Sequence, residues 1–526
     1  MEQANDLLTY LLEANEANEE RLREWNDRIE DIIFGPTEAQ LRALPSSLTN
    51  QDVEVLVNVS QKLHQVLLKT LLSENNDSSL DESKTTSDNG NDGLQRSDES
   101  IQQIIVRCDA TVLATRPRRL PQLVRTVRNW LRMYLQIYPV LPRTPAAETI
   151  LRSTFQNVGM LKLYLHLLEQ WAPSNQPEMA RHVGQALFYT TFSTLPPGTD
   201  VHLQSLYECI LRDLDVPRRL LRLYVQTNAV GVALALTQNI HNLLGNAPQA
   251  ANVVQEARVG FTEVSSSCPW IKHTSKENTD NLSLRDVWDA LWEYCITDSQ
   301  PAFPGEISDY RAEMVEEILR SLYALRIGPN FTSAERRLIP ALLSLENDDP
   351  RVVECQRSVL TLLTEADGAM ATVLVDTPPC MPTLLRLLET QIDGVVSSSR
   401  IDDGAAAALT PVLLTFYRFC QINTDFLNQT KLAIFPGDVE DRNNDSDVSS
   451  SAQSMQPHDA PEGTLRWKMI RLLTWPQSHV KRLSAEILWL VCDGKPQEFS
   501  RRVGMGNALP FLAAKGHAQL PENVFQ

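Results

Sequence analysis

Apolar residues recur along this chain at three- and four-residue spacing, in runs of about 10–18 residues separated by short turns of Pro, Asp, Asn or Ser. That period belongs to amphipathic helices, and no stretch alternates polar and apolar residues as a half-buried strand would. The pattern predicts an all-α protein. Residues 1–34 carry Leu22, Trp25, Ile29 and Ile32/Ile33 on one stripe and stop at Gly35-Pro36, and residues 53–72 repeat the behaviour.

The helices come in pairs, and the pairs resemble one another. "LIPALLSLENDDPRVVECQRSVLTLL" (338–363) and "KMIRLLTWPQSHVKRLSAEILWLV" (468–491) each give an apolar helix, a polar turn with proline and a second helix. Val352, Cys355, Val359/Leu360 and Leu363 of the first match Val480, Leu483, Ile487/Leu488 and Val491 of the second. The offset, 480 − 352 = 128, is about three units of ~43 residues, within the range of HEAT and armadillo repeats. Residues 381–392 with 408–420, and 216–226 with 229–245, form further pairs. The expected fold is an armadillo/HEAT-like α-solenoid superhelix, in which stacked neighbours make the core and inner helices line a concave surface.

Two segments break the pattern. Residues 73–100 hold eight acids, two bases and almost nothing to bury, and residues 437–463 are again acidic and serine-rich. Both read as disordered. A weaker irregular stretch covers about 264–283. The expected organisation is therefore N-terminal helices (1–72), an acidic linker (73–100), helical repeats (101–436), an acidic loop (437–463) and C-terminal repeats (464–526).

Charge and cysteines narrow the function. A formal charge of −18 argues against general affinity for nucleic acid or anionic lipid, leaving only local basic patches. The eight cysteines are scattered without a C-x-x-C, as in reduced cytosolic chains. The N-terminus has no secretory signal, and the longest apolar run noted, "AVGVALAL" (229–236), falls short of the roughly 20 residues of a membrane span. A soluble cytoplasmic protein is expected.

No metal, cofactor or catalytic constellation stands out. The nine histidines show no H-E-x-x-H or zinc spacing with Cys, and there is no G-x-S-x-G elbow. Gly504-Met505-Gly506-Asn507 lacks the G-K-[ST] of a phosphate loop and the strand before it, so Gly504 and Gly506 read as a tight structural turn. Arg125, Arg128 and Arg132 fall at i, i+3 and i+7 on one helix face: a solvated face, or a patch for an acidic helix or a carboxylate. Asn239 and Asn242 lie on a presumed inner helix, where an exposed Asn could bond a peptide backbone, while Asn246 after Gly245 suits a cap.

The C-terminal third resembles the synembryn family, cytosolic proteins that chaperone G-protein α subunits (Gα) and promote their nucleotide exchange. "PEGTLRWKMIRLLTWPQSHVKRLSAEILWLVC" (461–492), "GMGNALPFLAAKG" (504–516) and "ALTPVLLTFYRFCQINTDFLNQTKLAIFP" (408–436), with its proline-broken helix, carry the likeness, which is good over about 335–516 and faint over 230–335. The resemblance implies a non-enzymatic exchange factor and chaperone without cofactor, holding the C-terminal helix of a GDP-bound or nucleotide-free Gα in a concave groove. With the charge and the short apolar runs, the expected partners include no nucleic acid and the chain no integral membrane segment, with recruitment to the cell cortex through Gα. Lys481, Arg482 and Asn507 join Arg125, Arg128, Arg132, Asn239 and Asn242 as partner-binding candidates, and Ser446 with Ser449, Ser450 and Ser451 as phosphorylation candidates. Met505 and Leu509-Pro510-Phe511 depart from the family's pattern. The alternative is a general armadillo-type scaffold or transport adaptor that binds another extended peptide.

Overall fold

The computed structural model describes residues 20–28 and 59–63 (without 22 and 61), 119–137, 156–192 (without 175), 201–271, 281–297, 310–345, 349–396, 403–436 and 460–517. The acidic segments, with Ser446 and Ser449 to Ser451, lie outside them, as do Gly35-Pro36 and most of 1–72. The chain is all-α in armadillo-like helical repeats, as the periodicity predicts, and forms two units, Met1–Leu325 and Arg326–Gln526.

In the first unit the described helices include α1 (Arg119–Ile137), α2 (Val158–Trp171), α3 (Pro177–Thr191), α4 (Val201–Glu208), α5 (Val216–Tyr224), α6 (Val230–Asn246), α7 (Ala250–Glu256), α8 (Leu284–Thr297) and α9 (Arg311–Ala324). Here α1, α3, α6 and α9 lie side by side as one row, and α2, α5 and α8 each back one row member: α3, α6 and α9. The sequence explains the backing. In α2, capped by Asn157 through the Met160 amide, Leu161, Leu163, Leu165, Leu167 and Leu168 are all buried. Trp288 of α8 and Tyr224 of α5 are also buried, and the Trp288 indole N–H donates to the Tyr224 hydroxyl at 3.3 Å, which meets Thr237 of α6 at 2.6 Å. Close approach within the row depends on Gly184: a Cβ there would stand 2.8 Å from that of Ala235. Asn26 packs onto α1, donating to Thr126 at 3.1 Å and accepting from Asn129 at 2.9 Å, and Trp25 beside it is buried.

One expectation needs correcting here. The stretch read as irregular, about 264–283, ends in a strand, β2 (Asn281–Ser283), which pairs antiparallel with β1 (Arg258–Gly260) just before the stretch; both are too short for an alternating pattern to show.

The second unit has α10 (Ser333–Leu343), α11 (Pro350–Leu363), α12 (Gly368–Asp376), α13 (Cys380–Val396), α14 (Asp403–Ile422), α15 (Thr424–Ile434), α16 (Leu465–Leu472), α17 (Ser478–Val491), α18 (Pro496–Val503) and α19 (Met505–Ala514). Helices α11, α14 and α17 make one row, α10, α13 and α16 a second, and α12 stacks on α15. This is a three-helix repeat, α12–α13–α14 followed by α15–α16–α17. Local signals set the ends: a capping box of Thr332 and Glu335 opens α10, and Asp349 followed by Pro350 opens α11.

The matched helices of the sequence reading are α11 and α17, and the row places one helix between them, not two. The 128-residue offset therefore spans two repeats and not three. Nor does Pro411 break its helix: α14 runs through it from Asp403 to Ile422. Gly404–Ile422 is also longer than the apolar run at 229–236, and long and apolar enough to cross a membrane by length and composition alone, but it packs against α11, α13, α15 and α17.

Candidate functional site

The row α1–α3–α6–α9 has one face on which polar groups of adjacent helices meet. Arg128 Nη1 donates to Gln185 Oε1 at 3.0 Å, Arg181 Nη1 reaches the same oxygen at 3.4 Å, and Arg132 Nη1 meets the Tyr189 hydroxyl at 3.4 Å. Arg125 pairs with Asp27 at 2.8 Å. The Arg181 guanidinium lies 5.1 Å from the centroid of Tyr310, whose ring is so close to the α6 backbone that a Cβ at Gly231 would stand 2.8 Å from Tyr310 Cδ2. Farther along, His241 Nδ1 of α6 and Glu317 Oε1 of α9 are 2.5 Å apart, and Arg320 pairs with Glu316. The face thus carries ion pairs at both ends: Arg125 with Asp27 and Arg181 with Glu178 at 2.6 Å near α1 and α3, and Arg320 with Glu316 on α9.

His182 sits beneath the arginines of α1 and α3 with 9% of its surface exposed. Burial, and then the charges of Arg128, Arg181 and Arg125, push its pKa from 6.5 down to about 2, so it is neutral at physiological pH.

The candidates fare differently. Arg125 and Arg132 are partly exposed, but Arg128 is buried at 2% exposure and serves the contact between α1 and α3, so the three do not form a solvated face. Asn239 and Asn242 are buried and not exposed to a groove. Asn239 Nδ2 donates to the Gly184 and Ala235 carbonyls, both at 2.8 Å, and Asn242 Nδ2 to Thr191 Oγ1 at 2.8 Å. Both amides thus tie α6 to α3 and are themselves satisfied within the packed row. Asn246 closes its own helix by donating to the Asn242 carbonyl at 2.9 Å.

In the second unit, Thr415 of α14 donates to the Leu360 carbonyl of α11 at 2.9 Å, and Lys468 of α16 bridges Glu389 and Asp393 of α13 at 2.9 and 2.7 Å. Phe435 lies between two guanidinium groups, those of Arg466 and Arg502, at 5.6 and 4.3 Å from the ring centroid. Lys481 and Arg482 are exposed in the first turn of α17.

Gly504 alone forms the junction of α18 and α19, at φ 88° and ψ 139°, where only glycine is comfortable. Gly506 belongs to α19 and has no such backbone, because the junction needs just one residue to reverse direction. Asn507 Nδ2 donates to the Val503 carbonyl at 2.9 Å, closing the end of α18.

Sequence reasoning missed Arg181, Gln185, His241, Glu317 and Tyr310. The only available signal was their three- and four-residue spacing on helices already assigned. Among the described residues no group of His, Cys, Asp and Glu is arranged to hold a metal ion.

Residues 271–523 match the family described as guanine nucleotide exchange factor synembryn. The resemblance expected over 335–516 is therefore present, and it reaches upstream into the part where it looked faint. Chaperone Ric-8A of Gallus gallus is 27% identical over 182 residues, 33% of this chain and 31% of that protein. Chaperone Ric-8A of Mus musculus is 42% identical over 52 residues, 10% of each. The aligned parts thus span a third or less of these relatives. Among solved structures, an engineered protein aligns over 97% of this chain and 94% of its own at 14% identity and a TM-score of 0.41. A structure from work on the phosphorylation switch between cadherin and beta-catenin aligns over 98% and 96% at 11% identity and 0.39.

Proposed function

We propose that this chain, whose residues 271–523 match the synembryn family, is a chaperone and guanine nucleotide exchange factor for a Gα subunit. The family match is the observation that carries the reading, because it spans α10 to α19 and the rows they build. The chain acts without chemistry of its own. It holds the C-terminal helix of GDP-bound or nucleotide-free Gα against its rows of inner helices, and withdrawing that helix loosens the nucleotide pocket. A binder shifts an equilibrium only by its differential affinity for the two states, so exchange requires tighter binding to open Gα than to closed. The same preference makes a chaperone for newly made Gα.

An adaptor for basic peptides would need exposed Asn on the inner helices, and Asn239 and Asn242 are buried. The site of action follows the partner: cytoplasm, with the cell cortex reached through Gα.

Co-expression with Gα subunits and GDP release from purified Gα test the reading. A stable complex and accelerated release are expected, with a Gα C-terminal helix peptide competing. Failure to form a complex with any Gα in either nucleotide state would sink it.

A further inference from the structure

Between Glu462 and Glu486 the chain carries Arg466, Lys468, Arg471, Lys481 and Arg482 and not one Asp or Glu, within a protein of charge −18. This run is the α16–α17 hairpin. Two of the cations face neighbouring elements: Lys468 bridges Glu389 and Asp393, and Arg466 lies over Phe435. The other three gather at the turn end. Arg471 closes α16, and Lys481 and Arg482 open α17; all three are exposed and have no carboxylate partner among the described residues. Exposed Thr474, Pro476, Ser478 and His479 lie between them. The Arg471 guanidinium stands 4.8 Å from the centroid of half-buried Trp467, and Trp475 is half-buried in the turn.

We propose that this hairpin end docks on an anionic lipid surface. A protein partner would need an apolar centre to bury, with its charges at the rim. Here the exposed positions around the cations are small or polar, and the aromatic rings lie beside the cations in the combination that suits a headgroup layer. The chain's overall negative charge does not forbid the contact, because charges more than about 8 Å away are screened at physiological ionic strength. Each cation near an anionic bilayer contributes roughly fivefold in partitioning, so three give on the order of a hundredfold. That is a weak, reversible attachment, which holds or fails independently of the Gα reading.

The test is co-sedimentation of the full chain with large vesicles of phosphatidylcholine, with and without 30% phosphatidylserine, at low and physiological salt. Expected are binding only with phosphatidylserine, weakening with salt, and a loss of at least about twentyfold in K481E/R482E. The control is R212E/R218E, which changes net charge equally at two exposed arginines of the first unit. It should bind as wild type does. Absence of wild-type binding to the phosphatidylserine vesicles, or equal loss in both variants, overturns the proposal. So does a result in which K481E/R482E keeps vesicle binding and loses only its binding to polyglutamate, which would assign the surface to an acidic polypeptide.

Discussion

Acidification should destabilise the first unit through His182, and replacing that residue should remove the effect. In the folded chain burial and three arginines hold its pKa near 2, while in the unfolded chain it returns to about 6.5. Between those values the unfolded state binds a proton that the native state refuses. Stability therefore rises with pH across the window and falls as pH drops below 6.5. The slope is about 1.4 kcal/mol per pH unit. At pH 5.0, 1.5 units below the unfolded value, the loss is about 2 kcal/mol, whether the folded pKa is 2 or 3. Urea unfolding of wild type and His182→Gln at pH 7.0 and 5.0 measures it, because carboxylate contributions are common to both proteins and cancel in the difference. Wild type should lose about 2 kcal/mol more than the variant. A second readout needs no unfolding: the imidazole NMR signal absent from His182→Gln should not titrate between pH 7.5 and 4. Titration with a midpoint near 6.5, or parallel stability curves, would refute the reasoning.

Other substitutions probe the packing. Gly184→Val should cost about 1–3 kcal/mol in thermal or denaturant unfolding, because its Cβ meets Ala235 at 2.8 Å; Ala235→Gly in the same chain should recover part of it. Gly504→Ala should raise amide exchange in 505–514 and cost about 1–3 kcal/mol locally, since φ 88° is strained for a side chain. Asn239→Leu should destabilise by about 1–3 kcal/mol by removing the buried hydrogen bond that ties α6 to the Gly184 carbonyl of α3, read by urea unfolding. Glu498, held near pKa 2 by Arg501 and then Arg502, contributes stability that is present above pH 4.5 and lost as pH falls toward 2. Glu498→Gln should therefore flatten the acid limb of the stability curve.

The sequence by itself determined the class of structure and the pairing of adjacent helices. Periodicity placed α10 with α11 and α16 with α17, because burial stripes are local in the chain, although the proline read as part of the turn, Pro350, is the first residue of α11. The family likeness was legible for the same reason: it rests on contiguous motifs between 408 and 516. What only the tertiary structure decided is which helices stand side by side, and with that the fate of each polar residue. Arg128, Asn239 and Asn242 share with exposed residues the spacing of an open face, yet all three are buried against the next helix of the row. Conversely Arg181, Gln185, His241 and Glu317, from three different helices, become one surface. A helix's own period tells which residues share a face; whether that face meets water or a neighbour is fixed by the packing of repeats distant in sequence.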